Sequence, residues 1–374
     1  MIKKIIFIVV AIAALAGIGA IVYYGRETLG ILQISPAPKE EKRAAPLPSQ
    51  LETISSRPAL DYVLPAGNDI FYVSGAGQLI KIDAAGKEEA LSEGLDQPRL
   101  FASSPNGKEI LIGFGQRDNF QLSRFIIADK IFKPINKSGI ISAAWSLDSK
   151  KIAYLKLNSA TGESDLFIID VSKEKTSEAK VMSFALADYE LEWPSPDRIV
   201  LKPRPSALYA ASLLAVNPAK KTAASLSAPL TGLLAKWSAA LKQGLLFGGD
   251  ERNNFLFLTD ENGSPLVDLS RFITLPNKCA FDDAAGIIFC AVPKEVPADT
   301  VLPDDYFKRK LYTDDEVYSF TAVSDESGKR RLKTEKYYEF DPLTIDADNL
   351  TIKNGKLYFI NRYDEKIYSL DLGE

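Results

Sequence analysis

The stretch Ser104-Pro-Asn-Gly-Lys-Glu-Ile-Leu-Ile112 has the same order of residue types as Ser146-Leu-Asp-Ser-Lys-Lys-Ile-Ala-Tyr154, which begins 42 residues later. Each stretch places a turn rich in Ser, Pro, Asp, Asn or Gly before an apolar run. This order is typical of two antiparallel strands that are joined by a short turn. Because the hairpin recurs at a fixed spacing, the sequence predicts a repeat architecture built from β-sheets.

Weaker copies of this pattern continue along the chain at a nearly constant period. The anchor residues that end the first strand of each unit are spaced by 42, 48, 44 and 44 residues: Ser103, Trp145, Trp193, Trp237 and Phe281. About 40–45 residues per four strands is the length of one β-propeller blade. With weaker anchors at Val63 and Leu350, we predict an all-β, seven-bladed β-propeller of four-stranded blades over residues 58–374. Six or eight blades stay open.

The ends of the predicted propeller belong to one blade. Only three strands follow Pro342, so the last blade needs a fourth strand from elsewhere. The stretch near Leu51–Ser56 is the candidate, and its pairing would close the ring and remove exposed sheet edges. The three tryptophans and Phe281 are predicted to pack between neighbouring sheets.

The repeat resembles that of the TolB-type β-propellers, which are related to WD repeats. The resemblance rests on Ser104–Ile112 and Trp145–Tyr154, and it covers residues 58–374 with weaker copies elsewhere. It departs from true WD repeats, since the Gly-His and Trp-Asp signatures are absent. The repeat motif is structural, so the resemblance implies a fold and carries over no catalytic residue.

The N-terminal region has the pattern of a membrane anchor. Residues 1–4 contain two lysines, residues 5–24 carry no charge, and about 20 helical residues span the roughly 30 Å of a bilayer. We therefore expect a cytoplasmic stub, a single transmembrane helix over 5–24, a Pro-rich stalk over 25–57 and an extracytoplasmic propeller. The alternative is a signal peptide cleaved near Ala14-Leu15-Ala16, which would leave a secreted propeller.

Composition excludes several kinds of site. The 374 residues include 45 Lys and Arg, 49 Asp and Glu, two cysteines and no histidine. A net charge of −4 does not suggest nucleic-acid binding. Without histidine, a Ser-His-Asp triad and His-ligated zinc or haem are excluded. We expect neither a cofactor nor a metal.

One insertion interrupts the repeat, at about residues 293–316. Pro303 precedes two aspartates and then Lys308-Arg-Lys310, which predicts a short helix with charges that match its dipole. Long loops on a rigid scaffold often carry function. The insertion is either a lid or partner-docking element over the channel mouth, or a decoration without a role.

Polar residues are expected on the same face of the propeller as this insertion. The candidate binding residues are Arg117, Asp118, Asp188, Asp250, Arg252, Tyr306 and Arg362. Carboxylates from different blades could converge there on a ligand, a metal or a glycosidic bond. The alternative is that these are ordinary solvated loop charges.

The two cysteines flank a predicted hairpin turn at Asp282–Gly286. Counting outward from this turn pairs Phe281 with Ile288 and Cys279 with Cys290. Directly opposed residues lie within reach of a disulfide, and an exported chain can be oxidised. We predict a disulfide; the alternative is two buried thiols.

The sequence favours a membrane-anchored, extracytoplasmic binding or scaffold module. Its partner would be an envelope or surface protein or a glycan, and no catalysis is expected. The alternative is a histidine-free, carboxylate-based glycan hydrolase or lyase. That enzyme would need two converging carboxylates at the channel mouth, at least one of them with a perturbed pKa.

Overall fold

A computed structural model of the chain describes residues 50–116, 118–173, 177–185, 188–238, 240, 242–249, 253–324 and 330–373. The predicted transmembrane helix over 5–24 and most of the predicted stalk lie outside the described residues. Within the described ranges, no helix is both long enough and apolar enough to span a bilayer.

The described residues form twenty-seven β-strands and one α-helix. The strands of the first half are β1 Leu51–Thr53, β2 Ala59–Val63, β3 Ile70–Ser74, β4 Leu79–Ile82, β5 Glu88–Ala90, β6 Pro98–Ser103, β7 Glu109–Gln116, β8 Asn119–Ile126, β9 Ile131–Trp145, β10 Lys151–Leu157, β11 Ser164–Asp170, β12 Ser177–Phe184, β13 Tyr189–Ser195 and β14 Arg198–Pro203. Those of the second half are β15 Leu214–Asn217, β16 Thr222–Ser225, β17 Thr231–Ser238, β18 Gln243–Gly249, β19 Asn254–Asp260, β20 Pro265–Asp268, β21 Cys279–Asp282, β22 Ile287–Pro293, β23 Asp315–Ser324, β24 Arg330–Glu339, β25 Ala347–Lys353, β26 Lys356–Asn361 and β27 Lys366–Asp371. The helix, α1, is Asp304–Phe307, and a 3₁₀ turn at Pro276–Lys278 precedes β21.

The strands assemble into six antiparallel sheets. Five are four-stranded blades: β2-β3-β4-β5, β13-β14-β15-β16, β17-β18-β19-β20, β21-β22-β23-β24 and β25-β26-β27-β1. The sixth sheet has seven strands in the order β12-β11-β10-β9-β8-β7-β6. The all-β propeller architecture is as predicted, but the prediction of seven four-stranded blades is wrong, because the structure has five.

The seven-stranded sheet exists because β9 is fifteen residues long. Its first half pairs with β8 at Ile131–Ile135, and its second half pairs with β10 at Ile140–Trp145. The connection between the units anchored at Ser103 and Trp145 therefore stays extended and hydrogen-bonded. The sheet bends back on itself at β9, since Leu111 and Leu122 share a hydrophobic cluster with Ile152 and Tyr154.

The repeated turn identified in the sequence has a repeated geometry. The hydroxyl of Ser104 donates to Asn106 Oδ1 at 2.8 Å, and that of Ser146 donates to Asp148 Oδ1 at 2.6 Å. Gly107 has a positive φ of 65°, and a Cβ there would lie 2.1 Å from the backbone nitrogen of Ala66. The glycine of this turn is therefore required both by its backbone conformation and by the neighbouring chain.

The N-terminal strand closes the last blade. Leu51 to Thr53 of β1 pair with Leu370 to Tyr368 of β27, which is the position predicted for the closing strand. The hydrophobic core lies between neighbouring sheets. Trp145 packs against residues of β7 and β8, and Trp193 packs against residues of β10 and β11. These tryptophans are core residues, as predicted.

All described inner strands begin at one face of the propeller, which also carries the loops between second and third strands. In the blade of β21–β24 this loop is residues 294–314, which we call the cap. It contains α1, and the Lys308 ammonium lies 2.7 Å from Asp304 one turn earlier. We call the surface that carries the cap the cap face.

Candidate functional site

The cap reaches from its own blade to three others. The backbone N–H of Ala207, in the loop between β14 and β15, donates to Asp304 Oδ1 at 2.8 Å. A Cβ at Gly232, near the start of β17, would lie 2.6 Å from Pro303 Cδ. The guanidinium of Arg309 forms an ion pair with Glu365, between β26 and β27. The cap is therefore seated over the blades rather than extended into solvent.

A buried group of charges lies under the cap. The ammonium of Lys278 lies 2.8 Å from Asp315 and 2.6 Å from Asp346, and all three side chains are buried. Burial lowers the pKa of Lys278, but attraction to the two carboxylates outweighs burial and leaves that pKa raised. Thr313 bonds both to this lysine and to Asp315. The group is internally satisfied, so it stabilises the base of the cap.

Two of the predicted site residues, Tyr306 and Arg362, meet in this region. The guanidinium carbon of Arg362 lies 3.8 Å from the centre of the Tyr306 ring, and its Nη2 donates to the Tyr306 carbonyl at 2.8 Å. Its Nη1 lies 2.7 Å from Asp346 and also bonds the Leu311 carbonyl. Both side chains are buried, and these contacts of Arg362 hold the cap in place.

Beneath the cap, a cavity of about 580 Å³ runs along the inner strands. Its walls come from β2, β6 and β25, from the 3₁₀ turn, and from the ring of Phe307 at the mouth. The polar lining residues are Asp61, Tyr62, Ser103, Asn277, Asp348, Asn349 and Thr351, and the apolar ones are Leu60, Val63, Leu64, Phe101 and Phe307. This mixture of carboxylates, amides and apolar groups is typical of a binding pocket.

Asp61 and Asp348 are brought together by irregularities in their strands. The register shifts between Ala59 and Asp61 in β2, and between Asp348 and Thr351 in β25. Asn349 has a positive φ of 53°, as expected at a bulge. Its side-chain amide donates to Asp61 Oδ1 at 2.7 Å, and its backbone N–H donates to Asp348 Oδ1 at 2.8 Å. A single residue thus links the two carboxylates.

The electrostatics of this pair are unusual. Burial in the channel, with a smaller contribution from the charge of Asp348, raises the pKa of Asp61 to about 7. The hydrogen bond from the Tyr62 N–H opposes the shift without cancelling it. Part of the Asp61 side chain still faces the cavity. Asp61 therefore changes charge near neutral pH, which is common at functional sites.

Lys236 of β17 reaches across the channel from the other side. Its ammonium donates to the carbonyls of Cys279 at 2.7 Å and Leu350 at 2.8 Å, which belong to two further blades. Burial lowers the pKa of Lys236 to about 8, although Glu192 and Asp348 partly offset the shift. The ammonium thus supplies a positive charge inside the channel and links three inner strands.

Two polar atoms near the cavity have no hydrogen-bond partner among the described residues. Asn277 donates its amide to Asp348, but its Oδ1 is buried and unpaired. The hydroxyl of Tyr306 is also unpaired, although the side chain is only 2% exposed. Tyr306 lines a second cavity of about 210 Å³, which shares Phe307, Asp348 and Asn349 with the first. Buried polar atoms without a partner are uncommon in proteins, and both of these atoms can still accept a hydrogen bond.

The other predicted site residues do not join this group. Asp118 and Asp188 are exposed on loops of the cap face, and neither lines the two cavities. Arg117, Asp250 and Arg252 lie outside the described residues. Sequence analysis missed Asp61, Asp348 and Lys236. The only signal in the sequence that could have identified them is that each is a charged residue within a predicted inner strand.

The predicted cysteine pair is joined in the structure. Cys279 and Cys290 are directly opposed in the β21–β22 hairpin, their Cα atoms are 4.0 Å apart, and a disulfide links them. The disulfide connects to the buried charges around Lys278 on one side and to Lys236 of the channel on the other. Cys279 follows Lys278 in the chain, and its carbonyl accepts a hydrogen bond from Lys236. In the described part of the chain, no group of three or more Cys, Asp or Glu side chains is arranged to hold a metal ion.

Exposed apolar side chains are concentrated on the cap face. Twelve large hydrophobic side chains are exposed in the described ranges, and eight lie on this face: Leu60, Leu208, Tyr209, Ile273, Val301, Phe307, Tyr312 and Tyr363. Leu208 and Tyr209 are 76% and 75% exposed, and they follow Ala207, which bonds to the cap. The rings of Tyr312 and Tyr363 lie 5.4 Å apart. The opposite face shows no comparable concentration among the described residues.

Comparison with known proteins supports the fold. An oligogalacturonate lyase in complex with manganese superposes with a TM-score of 0.60 at 10% identity, covering 88% of this chain and 95% of that one. The β-propeller domain of the trilobed protease from Pyrococcus furiosus gives 0.54 at 13% identity, with 84% and 95% covered. The Swd1 propeller of Myceliophteria thermophila gives 0.51 at 11%, with 86% and 100% covered.

These similarities confirm the β-propeller fold, and at such low identity they show the fold alone. No protein-family model matches the chain. No curated protein matches it either. The resemblance of the repeats to the TolB type therefore stays a prediction.

Proposed function

We propose that this propeller is an extracytoplasmic binding module that docks a surface or envelope protein through its cap face. The observation that carries the proposal is the concentration of exposed apolar side chains there. Three of the eight are tyrosines and one is a phenylalanine. Aromatic side chains are enriched in protein–protein interfaces, and contiguous exposed apolar patches mark interaction sites.

The charges of the cap favour a protein partner over an anionic polymer. Lys308 pairs with Asp304 at 2.7 Å, Lys310 lies 3.7 Å from Asp305, and Arg309 pairs with Glu365. The basic residues of the cap are thus offset by neighbouring carboxylates. A surface of this kind offers no basic track for a nucleic acid. Apolar groups with a rim of paired charges suit a folded protein surface.

The disulfide supports a location outside the cytoplasm. A bridge such as Cys279–Cys290 forms and persists in oxidising compartments and is rare in the cytosol. Recovering both thiols in reduced form from freshly lysed, alkylated cells would argue against this location.

The test uses two matched double variants of the full chain. Leu208→Ser with Tyr209→Ser removes the two most exposed side chains of the cap face. Ile131→Ser with Leu147→Ser removes two exposed residues on the opposite face. Each protein is crosslinked in its native cells and purified under denaturing conditions. We expect a protein adduct that is retained in the second variant and lost in the first.

An adduct that persists in both variants would contradict docking through this face. Loss in both variants would point to general damage, and thermal unfolding of each protein identifies that case.

The enzymatic alternative stays a prediction. Asp61 and Asp348 are the carboxylates that come nearest to its requirement, since the charge of one raises the pKa of the other. Turnover of a neutral glycan by the purified chain, abolished by Asp61→Asn, would support that alternative.

A further inference from the structure

We infer that the channel mouth beneath the cap binds a small organic monocation with a primary ammonium group. Its nitrogen would lie between Asp61 and Asp348, and its alkyl part would lie against Phe307. This inference does not rest on the docking proposed for the cap face. It rests on the balance of charge, on the unpaired atoms and on the shape of the cavity.

Carboxylates outnumber ammonium groups among the charges that face the channel. Asp61, Asp348, Glu192 and the more exposed Glu190 are opposed by two lysines, Lys236 and Lys202, the latter 3.3 Å from Glu192 and 4.0 Å from Glu190. The surrounding charges are balanced among themselves, since Lys278 and Arg362 offset Asp315 and Asp346, and Arg309 offsets Glu365. The remaining negative charge belongs to the carboxylate pair that lines the cavity.

The unpaired atoms are those that a donor-only ligand needs. Asn277 Oδ1 is buried without a partner beside Asp348, and it can only accept a hydrogen bond. Tyr306, whose side chain is more than nine-tenths buried and whose hydroxyl is unpaired, lines the cavity that shares Asp348. An ammonium group has three donors and no acceptor, so its chemistry matches unpaired acceptors beside a carboxylate.

The mouth of the cavity suits the rest of such a ligand. Phe307 is 49% exposed and lines both cavities, together with Leu60. An aromatic face beside carboxylates favours an alkylammonium ion through apolar contact and cation–π attraction. The larger cavity, of about 580 Å³, leaves room for a side chain or a free amine, whereas the smaller one is also lined by Arg309 and Arg362.

The raised pKa of Asp61 fits this inference. In the unliganded protein, a proton on Asp61 neutralises the excess charge up to about pH 7. A cation would displace that proton. The groups that face Asp61 are Tyr62, Asn349 and Asp348, and Asp348 in turn faces Lys236 and the Tyr306 ring. Of these ionisable groups, Lys236 titrates nearest, at about 8, so its charge is partly lost at pH 8, and that loss also favours a bound cation.

Calorimetry on the full chain provides the test. The probes are n-butylamine and Nα-acetyl-lysine N-methylamide, which distinguish a free amine from a lysine side chain. The neutral control is Nα,Nε-diacetyl-lysine N-methylamide. We expect both amines to bind and the control not to bind. Affinity should be about tenfold higher at pH 8 than at pH 6, because Asp61 with a pKa of about 7 ionises between them.

Three variants locate the site. Asp61→Asn keeps the oxygen that accepts from Tyr62 and Asn349, and it should weaken amine binding at least tenfold at pH 8 and leave only the smaller pH dependence that Lys236 causes. Tyr306→Phe keeps the ring over Arg362 and should weaken binding a few-fold. Asp129→Asn, in the exposed turn between β8 and β9, should change nothing. Thermal unfolding checks that each variant is folded.

The inference is overturned if neither amine binds at millimolar concentration, or if the neutral control binds equally well. It is also overturned if folded Asp61→Asn retains wild-type affinity. Binding of a neutral methyl glycoside instead of the amines would assign the cavity to a sugar. None of these results affects the docking test, which depends on Leu208 and Tyr209.

Discussion

Two pairs of aspartates lie beneath the same cap, and their surroundings differ. Asp315 and Asp346 are fully buried, and Lys278 and Arg362 neutralise them at hydrogen-bonding distance. Asp61 and Asp348 line an open cavity. Lys236 reaches into the same channel, but its ammonium donates its hydrogen bonds to backbone carbonyls. The first pair has every charge satisfied and holds the cap in place. The second is left short of a cation, which is the condition of a binding site.

The largest effect should come from breaking the satisfied pair. Asp346→Asn removes the charge shared by Lys278 and Arg362 and leaves two cations with one carboxylate. We expect a loss of about 3–5 kcal/mol in the free energy of unfolding, as for other buried pairs that lose one partner. Urea unfolding measures it. Asp348→Asn is the matched control, and an equal loss there would remove the distinction between the two pairs.

Asp61→Asn should have the opposite effect and raise the free energy of unfolding. Folding raises the pKa of Asp61 from about 4 to about 7, so ionisation of this group favours the unfolded chain. Protonated Asp61 therefore makes its full contribution to the free energy of unfolding of the wild type at about pH 4, and this contribution is lost as the pH rises towards 7. We expect the variant to be more stable than wild type by about 2–4 kcal/mol at pH 8 and nearly unchanged at pH 4. Urea unfolding at both pH values checks it, and a destabilised variant at pH 8 would contradict it.

Removing the disulfide should loosen the surroundings of both aspartate pairs. Cys279 follows Lys278 in the chain, its own carbonyl accepts a hydrogen bond from Lys236, and the bridge closes a short loop. Cys279→Ala with Cys290→Ala should cost about 2–3 kcal/mol. Chemical unfolding of the double variant, beside the reduced wild type, measures the change. If stability fell while amine binding at pH 8 stayed intact, the carboxylate site would not depend on this brace.

The smallest effect should come from the exposed ion pair at the rim of the cap. Arg309 is more than half exposed, so Arg309→Gln should change the free energy of unfolding by less than about 1 kcal/mol. Thermal unfolding at low and high salt measures this, and wild type and variant should converge as salt rises. A large loss would mean that the rim, rather than the buried group around Arg362, holds the cap.

Local features of the fold were predictable because they are set by neighbouring residues. The turns at Ser104 and Ser146, the hairpin register of Cys279 with Cys290 and the strand near Leu51 all follow from short patterns. The number of blades was not predictable in this way. Whether residues 136–140 form a loop or continue β9 depends on pairing with β8 and β10, which lie on either side of it.

The sequence by itself determined a β-propeller closed by its N-terminal strand, with a cap inserted in one blade and two cysteines poised to pair. Only the tertiary structure decided which polar residues act together. Asp61 and Asp348 are 287 residues apart, and they meet because the ring closes and both strands carry a bulge. Arg362 was predicted as a binding residue, and the structure shows that it also holds the cap, through its contacts with Tyr306. Charge balance depends on three-dimensional proximity, which a repeat pattern does not encode.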